Sequence, residues 1–205
     1  VNLAKQDSFS RNMELSREAV SWADLLNASS IIYHPGISGE IKETARQINL
    51  IKDSRTIVEN KPYYTIDGEL ICNGNNPEDI KYLLEKTGVG FCLDIGHAIC
   101  SANAQKIDPI KMLESFVALR PKLFHLTDGD YNGVRDQHLN IGFGNYSIDK
   151  ILGLIPVGSS ITIETEKKSK TDLLDFEKDI AVLDEMLLNR VSFRPAETGD
   201  SGLLL

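Results

Sequence analysis

The sequence predicts an α/β fold, a (β/α)8 TIM barrel lacking its first two βα units over this stretch, and three observations carry that expectation. Short apolar runs recur at intervals of roughly 25 to 40 residues, the spacing of strand, helix, strand units. Segments with helical period lie between the runs. No glycine-rich turn follows an early strand, because Gly36, Gly39, Gly142 and Gly144 do not compose the fingerprint of a doubly wound nucleotide-binding sheet.

The elements follow in chain order. Val1 to Ala4 is a short first strand candidate, and Leu15, Ala19, Trp22, Ala23 and Leu26 make a helical stripe that assigns Trp22 to the core. Ile31 to Tyr33 is the next strand, followed by a helix with Ile41, Ala45, Ile48 and Ile51 on one face, then a strand at Thr56 to Val58. Asn76 before Pro77 opens a helix, because a capping side chain followed by an N1 proline suits the first turn. Gly90 to Leu93 is a strand, Asp108 before Pro109 opens another helix, and Leu123 to Leu126 is again extended. Ser147 caps a helix containing Ile148, Ile151 and Leu152, Ile161 to Ile163 is the last strand, and the longest helix sets Leu173, Phe176, Ile180, Leu183 and Leu187 on one face. A complete barrel has eight strands and about 250 residues, so six strand candidates imply two missing N-terminal βα units. No Pro- or Ser-rich linker interrupts the alternation, and residues 1–205 read as a single domain.

The bulk properties narrow the class. With 205 residues, 41% of them hydrophobic and 25% charged, the chain can bury one sizeable core. It has no apolar run near the roughly 20 residues of a membrane helix and no secretory layout at its start, so no membrane partner and a cytoplasmic location are expected. Cys72, Cys92 and Cys100 show no CxxC spacing and read as small core residues. A net charge of −8 argues against a surface that grips a polyanion throughout. Oligomeric state is left open.

Chemistry enters at the strand ends. The strand at 31 to 33 ends in His34, that at 56 to 58 in Glu59, that at 90 to 93 in Asp94 with His97 three residues on, that at 123 in His125, and that at 161 in Glu164. His138 follows Asp136 in the loop after His125. In a parallel barrel these positions converge on the face where active sites lie. A single strand-end histidine is ordinarily a hydrogen-bonded core residue, and a single strand-end acid ordinarily meets a cation or an amide. Here the feature recurs on five successive strands, while the nearby cations Lys61, Arg135 and Lys167 are too few to neutralise the set. Buried carboxylates each cost several kcal/mol unless paired, and a multivalent cation resolves that cost. Nitrogen and oxygen donors without sulfur suit Zn, Mn, Fe or Co. Glu59, Asp94, His125 and Glu164 form the expected principal site, bordered by His34, with His97, Asp136 and His138 as a second cluster. Lys61 and Arg135 are expected to contact substrate. The run from Lys167 to Lys170 reads as a solvated loop with room for a phosphate contact.

Five segments in this order, HPG at 34–36, VEN at 58–60, LDIGHA at 93–98, FHLTD through DQHLNIGFG at 124–144 and ITIETE at 161–166, make the chain resemble the xylose isomerase-like superfamily. That group contains sugar isomerases and epimerases and also endonuclease IV, of AP endonuclease family 2, which cleaves abasic DNA. The resemblance implies metal ligands at the strand-end positions and one to three divalent ions, Zn or Mn. It implies two reactions: proton transfer between neighbouring sugar carbons with Glu59 and Glu164 as acid and base, or phosphodiester hydrolysis with His97, Asp136 and His138 holding a further ion. Endonuclease IV also uses a histidine from a strand earlier than any in this sequence. Three departures favour a small sugar or sugar phosphate. NKPYY follows Glu59 where the endonuclease has a small, threonine- and glycine-rich turn, Gln137 stands where it has arginine, and Asp128 and Asp130 lie in a loop that would repel DNA. Abasic DNA is the alternative substrate, and a non-catalytic ligand-binding barrel is a second alternative.

Overall fold

Five strands lie side by side in chain order, every neighbouring pair parallel: β1 (Ile31–Tyr33), β2 (Thr56–Glu59), β3 (Gly90–Asp94), β4 (Leu123–Leu126) and β5 (Ser160–Ile163). Parallel neighbours need crossover connections, and helices supply them. α1 (Phe9–Leu25) precedes β1, α2 (Ile41–Ile51) joins β1 to β2, and α3 (Pro77–Thr87) joins β2 to β3. α4 (Ile95–Gln105) and α5 (Pro109–Val117) lie between β3 and β4, and α6 (Ile148–Leu154) between β4 and β5. The result is a partial barrel of the expected α/β type. The computed structural model describes residues 1–192, with side chains described through 188. The expectation of one domain over 1–205 thus runs, at 193–205, outside the described residues. The chain forms two compact units, Val1–Glu166 with all five strands and a second beginning at Lys167 that contains α7 (Leu174–Ser192). At 19 residues α7 is the longest described helix, although Leu173, expected on its apolar face, lies just ahead of it.

Alternation along each strand decides what faces what, because successive side chains point to opposite sides. In β3, Phe91 and Leu93 lie on the face opposite Cys92 and Asp94, and the Phe91 ring packs 5.9 Å from that of Phe116 in α5. Phe124, Leu126, Ile99, Leu113 and Ile151 are all fully buried in the same core. The register then places the other parity together: Glu59 pairs with Cys92, and Asp94 with His125. Acids and imidazole therefore share the inner face by periodicity alone.

Two of the three predicted caps form. The Asn76 side chain accepts from the Asp79 N–H at 2.8 Å, and that of Asp108 from the Lys111 N–H at 3.0 Å. Ser147 makes no side-chain cap bond, though α6 does begin beside it.

Two expectations are overturned. Val1 to Ala4 is a turn and not a strand: Asn2 exchanges hydrogen bonds with Asn12 and with the backbone of Ile37, and the Ala4 carbonyl accepts from Glu40 N–H, so the segment is spent on side chains and loops rather than a ladder. Trp22 is 55% exposed and does not belong to the core. α1 turns Asn12, Ser16 and Ala23 inward instead, because the Asn12 amide bonds Asn2 and the buried Gln47. Among the described residues no helix is long and apolar enough to cross a membrane.

Candidate metal centre

The C-terminal ends of β2 and β3 are locked to each other by one side chain. Asn60 donates its amide N–H to the Asp94 carbonyl at 2.9 Å and accepts from the Asp94 N–H at 2.8 Å. Asp94 then caps α4, its Oδ1 taking the His97 N–H at 2.7 Å, which leaves Oδ2 buried without a hydrogen-bond partner. Gly96 lets this first turn come close to the β4–α6 loop, since a Cβ there would stand 2.9 Å from Asp136 Oδ1.

Glu59 is the centre of the cluster. Its oxygens lie 3.3 Å from His34 Nε2, 3.2 Å from His97 Nδ1 and 3.3 Å from His125 Nδ1. His125 Nδ1 is also 3.1 Å from Glu164 Oε1 and 3.9 Å from Asp94 Oδ2, yet it is buried and makes no hydrogen bond of good geometry. Four strands thus deliver Glu59, Asp94, His125 and Glu164 to one place, with the half-exposed His34 at its border.

The second cluster is oriented by the backbone. His97 Nδ1 stands 2.9 Å from the Asn60 carbonyl, and His138 Nδ1 stands 2.7 Å from that of Glu164. A carbonyl only accepts, so each Nδ1 carries a proton, and Nε2 is the nitrogen that would offer a lone pair to a cation. Those two Nε2 atoms face Asp136 Oδ2 at 3.3 and 3.0 Å, and that oxygen is itself buried without a hydrogen bond. His138 holds a left-handed backbone (φ 48°), an uncommon conformation for a residue with a side chain. Glu166 N–H fixes it by bonding the His138 carbonyl at 2.7 Å.

The charges are mutually dependent. Burial works against ionised Glu59, but His125, His34 and His97 together hold its carboxyl well below the usual range. Asp94, fully enclosed, is pushed up to about 6 by burial, with His97 opposing. Burial disfavours a charged His125, yet Cys92, Glu164 and Glu59 outweigh it and lift the imidazole to about 12. Glu164 is lowered by His125, against burial. Without a cation, the clustered carboxylates favour the charged forms of His97 and His125 against burial. The orphaned Asp94 Oδ2, His125 Nδ1 and Asp136 Oδ2 are what a divalent ion would satisfy, and the donors fit one. Within each of three sets, Asp94, His125 and Glu164, then Glu59, Asp94 and His97, then His97, Asp136 and His138, the ligand atoms lie within 4.8 Å of one another.

Two features were missed in the sequence. Cys92 belongs to a fourth such set with Glu59 and His125, so the floor of the site is not free of sulfur. Its position two residues before Asp94, on the same strand parity, was the available signal. Burial raises its thiol to about 11, which keeps it protonated. Asp128, expected as a surface charge repelling DNA, is instead buried and accepts four backbone N–H groups, from Gly129, Gly142, Gly144 and Tyr146 at 2.8 to 3.1 Å. It folds the loop that presents Asp136 and His138. Asp128→Asn turns one acceptor oxygen into a donor facing N–H groups, so urea denaturation is expected to register a loss of about 2 kcal/mol. Unchanged stability would show that the loop does not depend on that charge.

A cleft of about 340 Å³ opens from His34, His97, Asp136 and His138 and is bounded by Lys61, Tyr64 and Arg135. The NKPYY stretch builds one wall, a hairpin with Tyr64 bridging Ile71 and Cys72 N–H bonding the Tyr63 carbonyl. Lys167 belongs to the second unit, where it pairs with Asp179 at 3.0 Å.

A family model described as xylose isomerase-like TIM barrel matches residues 1–186. An uncharacterised protein of Methanocaldococcus jannaschii is 27% identical over 179 residues, covering 78% of this chain and 58% of its own length. The protein named Probable endonuclease 4 of Mycobacterium leprae is 30% identical over 102 residues, covering 47% of this chain and 39% of that one. In fold, the chain is similar to a D-tagatose 3-epimerase-like protein (TM-score 0.72, 22% identity, 94% of this chain and 75% of that one). It is similar also to endonuclease IV from Thermus thermophilus (TM-score 0.68, 21% identity, 90% and 73%). The chain spans 58% and 64% of the two archaeal relatives it matches.

Proposed function

Because the chain belongs to the xylose isomerase-like TIM barrel family, we propose that it is a divalent-metal enzyme that isomerises or epimerises a small sugar or sugar phosphate. The observation that carries this reading is the approach of both Glu59 and Glu164 to one buried nitrogen, His125 Nδ1, at 3.3 and 3.1 Å. Asp94, His125, Glu59 and Glu164 would hold a zinc or manganese ion, and the His97, Asp136 and His138 set would hold a further one. Such an ion supplies Lewis-acid polarisation of a sugar carbonyl.

The two glutamates then divide the proton transfer. One carboxylate takes the proton from the carbon beside the carbonyl, and the opposite carboxyl returns a proton to the neighbouring carbon or to the other face of the same one. Substrate and product are isomers, so nothing else is consumed. Glu164, at 36% side-chain exposure, is the member that solvent reaches, while Glu59 at 4% is shielded from water. His34 at the border can bond a substrate hydroxyl.

Metal-loaded protein incubated with a panel of aldoses, ketoses and their phosphates in D2O tests the reading by NMR. Deuterium entering the C–H beside the carbonyl, with appearance of an isomer, is the expected result. One observation favours the endonuclease reading, namely the preset tautomers of the His97 and His138 pair around Asp136. Against it, Gln137 is turned back to bond the Asp130 N–H at 3.1 Å rather than offering a cation to DNA. Cleavage of an abasic-site duplex with an inert sugar panel would falsify the isomerase reading. Saturable sugar binding without turnover would favour the non-catalytic barrel.

A further inference from the structure

Two cations line the cleft with no carboxylate at ion-pair distance. The site's acids face histidines, and neither Lys61 nor Arg135 forms an ion pair or side-chain hydrogen bond among the described residues. Lys61 opens the hairpin wall next to Asn60, and Arg135 precedes Asp136 on the facing loop. Asp67, at the hairpin turn, bonds the Thr65 hydroxyl and the Glu69 N–H at 3.2 Å, and the charge of Arg135 helps hold its carboxyl low without an ion pair forming.

Arg135 also spans the cleft. Its Nη2 would lie 3.2 Å from a Cβ placed on Gly68, whose φ of +80° already favours glycine. The guanidinium therefore rests against bare backbone at the turn of the opposite wall. Lys61 and Arg135 line the same cleft, and an ammonium together with a planar fork is the pair of donors that suits a compact, oxygen-rich dianion.

We propose that Lys61 and Arg135 form a phosphate subsite, so that the substrate is the phosphomonoester of a small sugar with its hydroxyls toward the carboxylate and histidine floor. The sugar half of this inference rests on the isomerase reading, whereas the phosphate half does not. Calorimetric titration of the manganese-loaded full chain with inorganic phosphate, ribose 5-phosphate and ribose tests it. Ribose 5-phosphate is expected to bind at least about tenfold more tightly than ribose, with each of Lys61→Ala and Arg135→Ala weakening the ester and phosphate by about tenfold. The charge-preserving Lys61→Arg variant should retain most of the preference and guards against misfolding as the cause. Equal affinities for ester and free sugar, a preference surviving the double substitution, no saturable phosphate binding, or tighter binding of an abasic duplex would each overturn the inference. A chain that takes up no metal yet keeps a Lys61- and Arg135-dependent phosphate preference sinks the isomerase reading and leaves the subsite standing.

Discussion

The Glu59→Gln protein is expected to lose both its metal and its turnover. Glu59 is 3% exposed and stands within 3.3 Å of three imidazoles, so its charge serves much of the cluster at once. Glutamine keeps the shape but removes the charge, and its N–H2 group would compete with a cation for the lone pair of His125 Nδ1. Turnover should fall by about 10²–10⁴-fold, the range for a lost acid or base. Elemental analysis should show the principal ion gone. The metal-free variant should also be less stable by about 3–5 kcal/mol in urea, since the buried imidazoles of His97 and His125 lose their carboxylate partner. A variant with wild-type metal content and rate would place the proton transfer elsewhere.

Chelation is the second large effect. The metal-free centre keeps Asp94 Oδ2, His125 Nδ1 and Asp136 Oδ2 buried without hydrogen bonds and gathers four carboxylates, arrangements that a divalent ion relieves. An ion that binds only the folded state at about 1,000 times its Kd adds about 4 kcal/mol. For a chain of this size each kcal/mol moves the midpoint by about 2–4 °C, so EDTA should lower Tm by about 8–16 °C and added zinc or manganese should restore it. Identical melting curves with and without metal would remove the reason for these acids to be together.

Much of this site is legible in the sequence because strand periodicity is strict. Once the apolar runs at 57–58, 91–93 and 123–126 are strands, the residue closing each run has a determined side of the sheet, and Glu59, Asp94 and His125 must meet. What fails is whatever depends on polar side chains facing inward. Apolar spacing in α1 points to the wrong face, because Asn12 and Ser16 are the buried positions, satisfied by Asn2, Gln47 and the Asn12 carbonyl. Asp128 escapes a sequence reading because its four donors are glycine and tyrosine amides up to 18 residues downstream, which no local pattern displays. Cys92 is buried, as a small core residue should be, but burial in the floor of a charged site differs from burial among hydrocarbons.

The carbonyls that steer His97 and His138 belong to Asn60, which follows Glu59, and to Glu164, respectively a neighbour and a member of the other candidate set. Main-chain displacement at either residue rotates an imidazole in one set while moving a carboxylate in the other. A backbone substitution that retunes one set therefore disturbs the other, so the two clusters behave as one mechanically linked block.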